Sequence, residues 1–161
     1  MMRRAIAVFG AAAIVLGSIG AFAQGKPSFS GSWTPDMEKT MAANPNQPKA
    51  VPAARPMVIK QDMAFWTMER LGASTGPRPI QYSLNNQPME VTSSRTQSPA
   101  QVRARWVGDT IVFETTHEEK GAKVITSVTY AREGAWLVVT TREPDDKGGT
   151  KVIVTYYSPT K

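Results

Sequence analysis

The chain has 161 residues, a formal net charge of +6, no cysteine and a single histidine. The lack of cysteine excludes disulfide stapling, thiol chemistry and thiolate metal sites, and a chain of this length buries a core without staples. The basic residues are scattered rather than run together, which argues against a nucleic-acid-binding surface.

The first 23 residues read as a secretory signal. Arg3 and Arg4 supply a positive start, residues 5–19 carry no charge, and Ala21-Phe22-Ala23 offers a small-x-small cleavage site. The apolar run is shorter than the roughly 20 residues a membrane helix needs, so no integral span is expected after cleavage. No cysteine follows to carry a lipid. Cleavage before Gln24 removes Arg3 and Arg4, which lowers the net charge from +6 to +4. The remainder, 24–161, is expected to be one domain, exported to the periplasm or exterior of a bacterium.

Residues 29–33 read as a first strand. Residues 35–56 contain Pro35, Pro45, Pro48, Pro52 and Pro56, which have no N–H to give a ladder, so this stretch reads as a long loop. Thr34-Pro35 has the form of a cap followed by a first helical residue and predicts a short helix over 35–43. Residues 57–61 and 64–70 predict a hairpin turning near Gln61, Asp62 and Met63. After an irregular stretch at 72–79, residues 79–84 and 88–93 predict another hairpin, turning at Asn85-Asn86.

The second half is more regular. Gly108, Gly121, Gly134 and Gly148 punctuate segments rich in Val, Ile, Thr, Tyr and Trp, the pattern of an antiparallel meander. One hairpin can be derived residue by residue. If Gly108-Asp109 forms a two-residue type II′ turn, Val107 faces Thr110, Trp106 faces Ile111, and so on down to Val102 facing Thr115. Opposite residues share a face. One face then collects Val102, Ala104, Trp106, Ile111, Phe113 and Thr115, and the other Arg103, Arg105, Val112 and Glu114. A slip of one residue would scramble this segregation. Strands follow at 123–130, 136–142 and 151–157. Trp136-Leu137-Val138-Val139 and Val152-Ile153-Val154 are apolar on both faces, so the outer surface there is either covered by the Pro-rich loop or available to a partner. Nine or ten antiparallel strands are expected to close into a barrel or pack as a sandwich, because closure removes exposed edges.

Phe29-Ser30-Gly31-Ser32-Trp33-Thr34 resembles the Gly-x-Trp opening of lipocalin-like proteins. Trp106-Val107-Gly108-Asp109-Thr110, followed by Ile111-Val112-Phe113-Glu114-Thr115, resembles the hairpins of small secreted bacterial lipocalin-like (calycin-type) proteins. The resemblance implies an all-β, up-and-down barrel of 8–10 strands with Trp33 plugging the closed end. Gly31, Trp33, Gly108 and Asp109 would be structural, and the open end would admit a small apolar or amphiphilic molecule.

No catalytic or metal constellation stands out, and no cofactor is expected. His117, Glu118 and Glu119 are consecutive and point apart in an extended chain; they read as a solvated turn ending at Gly121, since a metal needs three or more converging ligands. Asp145-Asp146 reads as a turn. No nucleophile–base–orienter set is present. Met37, Met41, Met57, Met63, Met68 and Met89 could ligate Cu(I), but they form no tight cluster and fit better as fillers of core gaps. If the barrel holds a cavity, Trp66, Trp106, Phe113 and Tyr130 are the expected lining. The reading is a non-enzymatic exported barrel that binds a small hydrophobic or amphiphilic ligand. Its rival is a filled barrel that acts through its outer surface, as a homodimer or with an envelope protein partner.

Overall fold

The computed structural model describes residues 25–47, 54–72, 79–92 and 97–160; the predicted signal segment, 1–23, lies outside them. Ten strands and one short helix follow in the order β1 (Gly31–Asp36), α1 (Met37–Ala43), β2 (Met57–Gln61), β3 (Phe65–Arg70), β4 (Ile80–Ser83), β5 (Met89–Thr92), β6 (Pro99–Val107), β7 (Thr110–Glu119), β8 (Ala122–Glu133), β9 (Trp136–Pro144) and β10 (Thr150–Pro159). All pair antiparallel in one sheet of order β4-β3-β2-β1-β10-β9-β8-β7-β6-β5. It is an all-β, nearly closed barrel, and no helix among the described residues is long and apolar enough to cross a membrane.

The β6–β7 register is the one derived from the turn: Val107 opposes Thr110, Ala104 opposes Phe113 and Val102 opposes Thr115. Gly108 has φ of 56°, while Asp109 is not left-handed, as a type II′ turn requires. Ala104, Ile111 and Phe113 are buried, and Arg103 is exposed on the opposite face. β8, β9 and β10 are longer than expected, because they continue past their apolar residues into residues such as Arg132, Glu143 and Ser158 that still hold the ladder.

Three expectations are corrected. First, residues 79–84 and 88–93 do not pair with each other. β4 pairs with β3, β5 pairs with β6, and the two are the free edges of the sheet. The chain does turn at Asn85-Asn86, but Asn85 bridges to Arg105 and the Asn86 N–H donates to the Ala104 carbonyl, which commits the turn to β6. Pro88, just before β5, has no N–H to offer β4. Second, the helix does not begin at Pro35. Pro35 lies in β1 opposite Tyr157, and Asp36 is the cap, its Oδ1 accepting from the Lys39 N–H at 2.9 Å. Phe29, expected in the first strand, precedes it and is fully buried. Third, His117 is not in a solvated turn: it belongs to β7, with its side chain inside. The turn is Lys120-Gly121, both left-handed, one residue pair later.

β1 ends at Asp36, so β10 lacks a strand neighbour beyond Tyr156 on that side. Helix α1 fills the place. Thr40 Oγ1 accepts from the Tyr156 N–H, Asn44 Oδ1 accepts from the Val154 N–H, and Asn44 Nδ2 donates to the Val154 carbonyl at 2.7 Å. Both side chains are buried. Lys39 of the same helix lies over the outer-face rings of Trp136 and Tyr156, 4.9 and 4.7 Å from their centroids. Part of the doubly apolar surface is thus covered by the helix within the Pro-rich segment, while Val152 stays exposed.

Candidate functional site

The two ends of the barrel differ. At one end, residues 26–30 cross the openings of three hairpins. Phe29 N–H donates to Gln61 Oε1, Lys26 Nζ to the Gly108 carbonyl, and Arg132 Nη1 and Nη2 to the carbonyls of Ser28 and Gly134. Gly31 permits the bend that follows, with φ of 143°, a conformation L side chains rarely adopt. Trp33 lies just inside, its Nε1 donating to the Phe29 carbonyl at 2.9 Å and its ring under the Arg132 guanidinium at 4.8 Å. Arg132 escaped sequence reasoning because its partner is about one hundred residues away.

Above this floor, Phe29, Trp66, Phe113 and Tyr130 form one ring cluster. Trp66 stands 4.7 Å from Tyr130, 5.6 Å from Phe113 and 5.9 Å from Phe29 between centroids. Trp106 joins through Phe29 at 5.9 Å and donates its Nε1–H to the Met63 carbonyl. Of the four residues expected to line a cavity, three therefore meet inside, and Trp106 sits half-buried at the closed end. Pairs at these separations pack beyond simple area burial. Met68 shares the inner face of β3 with Trp66, and Met57 is also buried, but Met37, Met41 and Met63 are exposed.

Toward the other end the inner face changes character. The register places Thr115 opposite Thr126, Thr141 opposite Val128 and Thr155 opposite Val139, all facing inward. Here His117 is 7% exposed, its Nδ1 and Nε2 make no hydrogen bond, and Glu119 Oε2 lies 3.7 Å from Nε2. An open surface groove of about 480 Å³ runs beside it across the ends of β5, β6, β7 and β8, lined by Glu90, Gln101, Thr116, His117 and Lys123 among others. Lys151 pairs with Glu143 at 2.9 Å. Among the described residues no three His, Cys, Asp or Glu side chains converge as a metal site would require.

A second inward group is aromatic and basic. Trp66, Met68 and Arg70 alternate along β3, so Arg70 shares their inner face, at the β3 end away from the floor. Tyr82 opposes Trp66 across β4, and Tyr157 opposes Pro35 and Leu137 in the core. Tyr130 Oη donates to Met68 Sδ at 3.6 Å. Burial raises the Tyr130 phenol to about 12, and the nearby Arg70 guanidinium only partly opposes this. Tyr82 and Tyr157 are raised by burial too, again with Arg70 opposing. The alternation of Trp66, Met68 and Arg70 could have placed Arg70 inside from sequence; its tyrosine neighbours could not be read, since they come from distant strands.

No protein-family model and no curated protein matches the chain. Solved structures do. The chain is similar to secretory abundant heat soluble protein 4 from Ramazzottius varieornatus, with a TM-score of 0.55 and 17% identity over 85% of this chain and 97% of that one. It is also similar to a secretory abundant heat soluble (SAHS) protein of the same organism, from a dimer sample, with a TM-score of 0.55 and 11% identity over 82% of this chain and 95% of that one. At these identities what is shared is the fold, a lipocalin-like, calycin-type β-barrel.

Proposed function

We propose that this protein is a non-enzymatic, exported carrier that holds a small amphiphilic molecule in the open half of its barrel. The observation that carries the reading is the division of the lumen. Rings of Phe29, Trp66, Phe113 and Tyr130 pack the closed half. Hydroxyls of Thr115, Thr126, Thr141 and Thr155, with His117, face inward in the open half. A site with an apolar floor and a few polar groups suits a molecule with both characters. Binding is burial and hydrogen bonding, with no covalent step. The test is calorimetric titration of the protein with twelve-carbon amphiphiles of differing head group. Saturable one-to-one binding of at least one is expected; none binding overturns the carrier.

A second reading rests on the packed closed half and the two unpaired edges, β4 and β5. A filled barrel would act through its outer surface, pairing with a second copy or an envelope protein through an edge. Sedimentation analysis separates the two: a dimer that binds no amphiphile favours the surface, and a monomer that binds favours the lumen.

A further inference from the structure

We infer that the groove across the ends of β5, β6, β7 and β8 binds a small organic diammonium ion, His117 and Glu119 taking one ammonium group and Glu90 the other. The inference is independent of the carrier reading, because the groove lies at the rim of the barrel, away from the ring cluster.

The argument starts at His117. Its side chain is buried, it lines the groove, and neither ring nitrogen has a hydrogen-bond partner. A buried imidazole left in this state costs free energy until something engages it. When neutral, it keeps one nitrogen as a bare acceptor. Alternate residues of a strand share a face, so Glu119 follows His117 on the inner side of β7, with Oε2 3.7 Å from Nε2. That separation is too long for a hydrogen bond between them, and an N–H donor placed beside both reaches each.

The rest of the groove adds acceptors. Glu90, Gln101 and Thr116 form one row across β5, β6 and β7, so Glu90 stands two strand spacings, about 10 Å, from β7. Glu90 and Glu118 line the groove, and Lys123 opposes Glu118 across β8. With Glu119 beside them, three carboxylates stand against the one ammonium of Lys123, a balance that attracts a cation. A bare metal ion fits poorly, since no three ligands converge among the described residues. An organic ammonium asks less: its donors point in several directions, and its acceptors lie spread along the groove. A short chain with an amine at each end matches both the spread of acceptors and the groove of about 480 Å³.

The experiment titrates the untagged protein with 1,4-diaminobutane, butylamine, 1,4-butanediol and succinate, read by calorimetry and by NMR of the imidazole. The chain has a single histidine, so those resonances report on this site alone. Diaminobutane is expected to bind one-to-one, to shift the His117 resonances, and to bind roughly tenfold more tightly than butylamine, as one charge-assisted hydrogen bond provides. Glu90→Gln should bring diaminobutane down to the butylamine affinity. His117→Gln and Glu119→Gln should each weaken both amines roughly tenfold. The Glu119 side chain is partly exposed, so Glu119→Gln carries the test if His117→Gln fails to fold. No saturable binding of either amine overturns the site. So do butanediol or succinate binding as tightly as diaminobutane, His117 resonances that stay in place, or an affinity that survives Glu119→Gln.

Discussion

Tyr130 joins the two halves of the lumen: its ring packs on Trp66 and Phe113, and its hydroxyl reaches Met68 and the field of Arg70. Burial keeps the phenol neutral, so its pKa rises to about 12. In the unfolded chain the same phenol ionises near 10. The folded state therefore binds the proton more strongly, and stability from this group is complete below pH 10 and lost as pH climbs from 10 to 12. Two pKa units correspond to about 3 kcal/mol. Denaturant titrations at pH 9 and pH 12 should show this loss in the wild type, and Tyr130→Phe should lose less over that interval. Equal losses in both proteins would mean the phenol is not the group concerned. Gly108 matters at the same scale for a different reason, since its left-handed φ sets the β6–β7 turn and hence which side chains face inward.

At the scale of elements, the seven-residue helix α1 is too short to be stable by itself, and its stability comes from docking. Asn44 replaces a strand for one residue of β10 by both accepting from and donating to Val154. Asn44→Ala leaves the partly buried Val154 N–H and C=O without their side-chain partners, a cost of about 1 kcal/mol. Chemical denaturation should show that loss, and hydrogen exchange should show the Val154 amide losing protection before those of the β7–β8 hairpin. Unchanged protection at Val154 would remove the helix from this role. The same logic explains the displaced cap. Thr34 and Pro35 have the right composition to begin a helix, but Pro35 is held in β1 beside Tyr157, and Asp36 is the first residue free to turn.

For the whole molecule, the closed end sets the stability. Residues 26–30 tie hairpins together that are far apart in sequence, and Trp66, 1% exposed, sits at the centre of the ring cluster they cover. Trp66→Ala should cost about 3–5 kcal/mol by leaving a cavity the surrounding rings cannot close. Thermal unfolding measures it; a cost under 1 kcal/mol would show the cluster to be loosely packed. The open end has the reverse design. Its walls are threonines, His117 and paired charges rather than packed rings.

Local information decided a great deal. The β6–β7 hairpin followed from its turn glycine and two alternating strands, because both signals act between residues close in sequence. The β2–β3 hairpin and the antiparallel all-β class followed for the same reason, while the barrel itself came from the resemblance carried by Gly31, Trp33 and the Gly108-Asp109 turn. Tertiary structure decided what depends on neighbours brought from afar. It separated β4 from β5, because Asn85 and Asn86 found β6 instead of completing their own hairpin. It buried His117 and placed Arg132 over Trp33. Periodicity tells which face a side chain takes within its strand; only the closed sheet determines which other faces it meets.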